Sequence, residues 1–99
     1  MRYSLVSPLP VVVHKNELQI DALGNVIGEG GVSLFAIAEL PVGVEVEMMF
    51  THSHSAPPVR MRGAVRNRAL YLFGIEFLAQ SAAEQVELAR LRKLFVRAV

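Results

Sequence analysis

The chain is 99 residues long, enough for one domain with its own core and too short for two. It is 53% hydrophobic, contains no cysteine and carries a formal net charge of +1. Those values exclude a disulfide scaffold, a thiolate metal site and the strongly basic balance of a nucleic-acid protein. The longest apolar runs, Val11-Val12-Val13 and Leu34-Phe35-Ala36-Ile37-Ala38, fall far short of a membrane span, so no membrane insertion is expected. Met1-Arg2-Tyr3-Ser4 does not begin the apolar core of a secretory leader, and a cytoplasmic setting is expected.

In chain order, Ser7-Pro8-Leu9-Pro10 predicts an extended lead-in over residues 1–10, because proline fixes φ and turns the preceding residue away from helix. Val11-Val12-Val13-His14 reads as a strand, and Leu18-Gln19-Ile20-Asp21-Ala22 alternates as a half-buried strand does. Leu23-Gly24-Asn25 marks a turn or bulge, with Val26-Ile27 continuing the strand. Gly28-Glu29-Gly30-Gly31 is the densest glycine segment. It predicts a tight turn or bulge with φ > 0, where bare backbone lets a ligand approach closely.

Val32 to Ile37 is strand-like, and Glu39-Leu40-Pro41-Val42-Gly43 is a connection. Val44 to Phe50 is the clearest alternation in the chain, with Val44, Val46, Met48 and Phe50 on one face and Glu45 and Glu47 on the other. A polar loop runs from Thr51 to Pro58. Val59 to Arg66 alternates again, with Arg60, Arg62 and Arg66 outward, and Asn67-Arg68 is expected as a hairpin loop. In the next strand, Leu70 to Leu78, residues Tyr71, Phe73, Ile75 and Phe77 share one side.

Ser81-Ala82-Ala83-Glu84 fits a capping box and opens a helix over 81–98. Its apolar stripe is Leu88, Leu91, Phe95 and Ala98, and Arg92, Lys93 and Arg97 lie near its C-terminus. Five or six antiparallel strands followed by one helix predict an all-β barrel over residues 11–78, with the helix packed on an opening or a face.

No catalytic constellation emerges. The carboxylates Asp21, Glu39, Glu45, Glu47 and Glu76 show no paired spacing, and Ser33 lies in no Gly-x-Ser-x-Gly elbow that could enlist His14 or His52. His52-Ser53-His54 supplies two imidazoles and no evident third ligand, so no metal site is expected. Arg60, Arg62, Arg66 and Arg68 form a basic stripe without interleaved aromatics, which reads as a solvated face rather than a nucleic-acid surface. Adjacent bulky residues at Leu34-Phe35 and Leu70-Tyr71-Leu72 leave apolar side chains on both faces of their strands. These are either covered by the helix or exposed as a partner site.

The order of these parts resembles the PilZ family of bacterial cyclic-di-GMP receptor domains over nearly the whole chain. The resemblance rests on a strand entering a Gly-Gly turn, on Leu40-Pro41-Val42-Gly43 before an alternating strand, and on Gly74-Ile75-Glu76-Phe77-Leu78 before an acid-containing helix. It implies a single six-stranded antiparallel PilZ-like β-barrel with one C-terminal helix. It also implies a place in control of motility, type IV pili, surface attachment or exopolysaccharide.

The family's ligand motifs are degenerate here. With Gly31 on the motif's final glycine, Gly28 takes the serine position and Val26 the Asp/Asn position. With Gly30 there instead, Ile27 and Asn25 take those positions. Arg2 stands for the first arginine of the family's pair, and Val6 replaces the second. The implied ligand set is therefore Arg2, Asn25, Gly28, Gly30 and Gly31. Each ligand polar group buried without a partner costs about 1–3 kcal/mol. The expectation is a non-enzymatic adaptor that contacts a protein partner, holds no cofactor and binds cyclic di-GMP weakly or not at all. The alternative is a cyclic-di-GMP-binding receptor switch.

Overall fold

In the computed structural model the first two strands form one long ribbon. β1 (Arg2–Lys15) turns at Asn16-Glu17 and returns as β2 (Leu18–Gly28). Asn16 holds φ at 55°, a left-handed conformation that asparagine tolerates well. The described residues are 2–28, 30–51 and 57–98, with side chains over 9–28, 30–51 and 57–93. The remaining elements are β3 (Gly31–Phe35), β4 (Glu45–Phe50), β5 (Val59–Ala69), β6 (Leu72–Phe77) and α1 (Ala82–Ala98).

The strands close into a barrel in the order β1-β2-β3-β6-β5-β4, and every pairing is antiparallel. Closure comes from β4 returning to β1, where Val11 pairs with Phe50 and His14 with Glu47. The alternation in sequence becomes inside and outside. Val46, Met48 and Phe50, then Phe73, Ile75 and Phe77, fill the interior, while Glu45, Glu47 and Glu76 face out. α1 packs against β5 and β1 and sends Leu88 and Leu91 into the same core. Its cap forms as the sequence predicts. The Glu84 amide donates to Ser81 Oγ at 3.1 Å, and the Ser81 amide donates to Glu84 Oε1 at 3.1 Å.

Several boundaries differ from the sequence reading. The segment expected as a lead-in is already strand, since β1 begins at Arg2. Pro8 falls where the register with β2 breaks between Ser4 and Leu9, whereas Pro10 lies in the resumed ladder opposite Leu23. The hairpin turn falls at Leu70-Tyr71 rather than Asn67-Arg68. A bulge between Val65 and Asn67 adds one residue to β5, carries the strand on to Ala69 and leaves Leu70 at φ 57°. Tyr71, expected on one side of the strand with Phe73, Ile75 and Phe77, is therefore a half-exposed turn residue. The predicted irregularity at Leu23-Gly24-Asn25 is a bulge, where the β2–β3 register shifts between Gly24 and Val26. In the connection before β4, Gly43 adopts φ 95°, its amide donates to the Val65 carbonyl at 2.6 Å, and the turn is thereby tied to β5.

Candidate functional site

The outer wall made by β2, β3, β6 and β5 carries unusually small side chains at one end. Gly31 pairs with Glu76, and one step along, Ser33 pairs with Val26 on one side and Gly74 on the other; Gly74 in turn pairs with Asn67. The result is an open cleft of about 690 Å³ with Gly28, Gly30, Gly31 and Gly74 in its lining and Ser33, Arg66, Asn67 and Glu76 around it.

The glycines act here through size and not through an unusual backbone. Neither Gly30 nor Gly31 lies in the left-handed region, contrary to the φ > 0 expected of this segment. A Cβ on Gly31 would collide with the Ile75 carbonyl oxygen across the ladder, and one on Gly74 would meet the Asn67 amide. Close backbone approach is thus the physical reason for Gly31, whereas at Gly74 it is the end of the Asn67 side chain that fills the space.

The residues expected to form a ligand set are only partly brought together. Gly28, Gly30 and Gly31 line the cleft, and the backbone of Arg2 pairs with Gly28 at its edge. Asn25 is absent from the lining, because the β2 bulge at its position separates it from that row, and Val26 stands there in its place. The sequence reading missed Ser33, Arg66, Asn67 and Gly74 as part of one site, and it weighed Glu76 only as a catalytic acid. Alternation places Gly74 and Glu76 outward on their strand, but the bulge that brings Arg66 and Asn67 beside them has no local sequence signature.

The electrostatics of the cleft are self-contained. Arg66 is the extra residue of the β5 bulge, and both its Nε and Nη2 donate to Glu76 Oε1, at 3.1 and 2.7 Å. The other arginines of the stripe are engaged as well. Arg60 lies 3.9 Å from Glu47, and Arg68 binds Glu39 at 2.8 Å while its guanidinium sits 5.1 Å over the Phe73 ring. Arg62 spans Glu84 at 2.7 Å and Glu45 at 3.3 Å, tying α1 to the barrel wall. The hydrogen bond from Arg62, followed by the Ser81 amide, holds the Glu84 carboxyl down to about 2. Arg68 likewise holds Glu39 below the usual carboxylate range through its hydrogen bond and its charge.

The stripe is thus a partly solvated wall whose cations already have carboxylate partners. Among the described residues no three His, Asp or Glu side chains gather in a way that could hold a metal ion. His52 and His54 lie outside the described residues. No described helix is long and apolar enough to cross a membrane.

No protein-family model matches the chain, and no curated protein matches it in sequence. Solved structures do match its fold. The PilZ domain of CeSA from a cellulose-synthesizing bacterium superposes with a TM-score of 0.75 at 12% identity, covering 92% of this chain and 93% of that one. The Bacillus subtilis inhibitor of motility (MotI/DgrA) gives a TM-score of 0.67 at 14% identity, covering 100% of this chain and 52% of that one. This chain therefore corresponds to about half the length of the motility inhibitor. The fold is PilZ-like: a closed six-stranded antiparallel barrel with one C-terminal helix, as the resemblance implied.

Proposed function

We propose that this chain is a non-enzymatic PilZ-like adaptor of bacterial cyclic-di-GMP-linked signalling, acting in the cytoplasm through protein contact and binding the messenger weakly or not at all. The observation that carries the reading is the pairing of Arg66 with Glu76. A doubly anionic ligand entering the cleft must break that pair and then lie beside the freed carboxylate. Like charges at that distance oppose binding, and the planar fork that suits phosphate is already occupied. Val26, which takes the Asp/Asn position of the glycine-ended motif when Gly31 is its final glycine, lines the cleft and removes a further partner. The engagement of all four β5 arginines by carboxylates argues against a nucleic-acid role, which needs cations available to phosphate.

Control of motility, pili or exopolysaccharide is the setting we favour. One neighbour in fold is an inhibitor of motility and another comes from a cellulose-synthesizing bacterium.

Isothermal calorimetry with cyclic di-GMP tests the reading. The expected dissociation constant is no tighter than about 100 μM, equivalent to less than about 5.5 kcal/mol of binding. A low-micromolar constant that disappears in Arg2→Ala or Arg66→Ala overturns it in favour of the receptor switch. That second reading draws on the position of Arg2 opposite Gly28 and on Ser33 and Asn67 in the cleft. Under it, Arg2 would order the N-terminal segment over the glycines on binding, and N-terminal amides would gain protection from hydrogen exchange when ligand is added.

A further inference from the structure

Below the cleft the same wall turns apolar. Leu23 pairs with Phe35 and Phe35 with Leu72, so three large side chains run across β2, β3 and β6 in one row. All three are more than two-fifths exposed, and Ile37, Leu70 and Tyr71 beside them are exposed by 78%, 83% and 48%. The face is rigid. The Phe35 and Tyr71 rings meet edge to face at 6.1 Å, and the Ala36 amide donates to the Tyr71 carbonyl at 2.9 Å.

Leu70 is costly twice over. Among the described residues it is the most exposed of the large hydrophobic side chains, and it holds φ at 57°, where glycine or asparagine would sit with less strain. Local strain combined with exposed apolar surface points to an interaction.

We infer that this face is the interface of a twofold-symmetric dimer of the chain. Three observations select a second copy as the occupant. The first is area: at roughly 150–250 Å² per large side chain, these exposures amount to on the order of 600 Å². With a polar rim that approaches the roughly 800 Å² each partner gives to a standard interface. The second is shape: beside the projecting Leu70 lies a hollow of about 580 Å³ lined by Asp21, Leu23, Phe35 and Ile37 among others. A knob and a hollow side by side on one face are what a self-complementary interface requires, since each copy fills the other's hollow at once. The third is charge: Asp21 lines the hollow and Arg68 is held by Glu39, so the charges placed here do not favour an anionic lipid surface. The inference goes beyond the adaptor reading and does not depend on it.

Sedimentation of the purified chain from about 1 to 200 μM tests it. The expected result is a concentration-dependent monomer–dimer equilibrium. Ile37→Asp abolishes the dimer. Leu70→Asn weakens it at least tenfold while the monomer's thermal midpoint stays level or rises, because the turn is relieved. Val86→Asp, an exposed change on α1, leaves association unaltered. A chain that stays monomeric over the whole range overturns the inference, as does a dimer indifferent to both Ile37→Asp and Leu70→Asn. Ligand calorimetry on the Ile37→Asp variant keeps the adaptor reading separately testable.

Discussion

The wall of β4 and β5 and the wall of β2, β3 and β6 use the same strand alternation to opposite ends. On the first, Arg60, Arg62, Arg66 and Arg68 each meet a carboxylate, and α1 contributes Glu84 and packs against β5. On the second, few outward positions are charged, and Gly31, Ser33 and Phe35 succeed one another along β3. A wall whose charges are matched within the chain contributes to holding the fold. A wall that exposes backbone and hydrocarbon gains little from water and invites a second molecule. Substitutions on the two walls should therefore separate into stability effects and association effects.

The largest expected effect lies under the charged wall. Leu91→Ala removes a fully buried side chain through which α1 enters the core and should destabilise the fold by about 2–5 kcal/mol in urea titration. Gly31→Val tests whether the open wall's glycine floor is structural. Its side chain meets the backbone of Ile75, which cannot swing aside, and a loss of about 1–3 kcal/mol is expected. No loss would mean that the glycine serves the cleft alone. Ser81→Ala removes the helix cap and should lower stability by about 1 kcal/mol in the same titration.

Acid should act on the charged wall in particular. Glu84 is held at about 2 in the fold against an ordinary value of 4.5, so its contribution is present above 4.5 and is lost as pH falls towards 2. Thermal melts of wild type and Glu84→Gln should differ at neutral pH and converge across that interval. A gap that persists at pH 2 would refute the role given to the Arg62–Glu84 pair. The smallest effect is expected for Arg66→Ala. It breaks a half-exposed pair and should change stability by no more than about 1 kcal/mol, whatever it does to ligand binding.

Much of the architecture was legible in the sequence because it rests on period and composition. The alternation of Val46, Met48 and Phe50 against Glu45 and Glu47 assigned faces correctly, and Ser81 with Glu84 marked the start of α1. What escaped were features set by tertiary register. The β5 bulge moved the hairpin turn from Asn67-Arg68 to Leu70-Tyr71 and placed Arg66 on Glu76. No residue near it carries a strong bulge signature, and leucine is a poor advertisement for a left-handed turn. The candidate site was half legible for the same reason. Its glycines were visible as a cluster, whereas Gly74 and Asn67 reach it only through pairing across the barrel, and Asn25 leaves it through the bulge in β2.

The return of β4 to β1 has a consequence for any partner of this domain. Where β1 meets β4, from Val11 to His14, the row of amides and carbonyls that an open sheet would offer to a peptide is taken up within the barrel. A partner that engages this seam must read outward side chains, so single surface substitutions along it should map the docking footprint there.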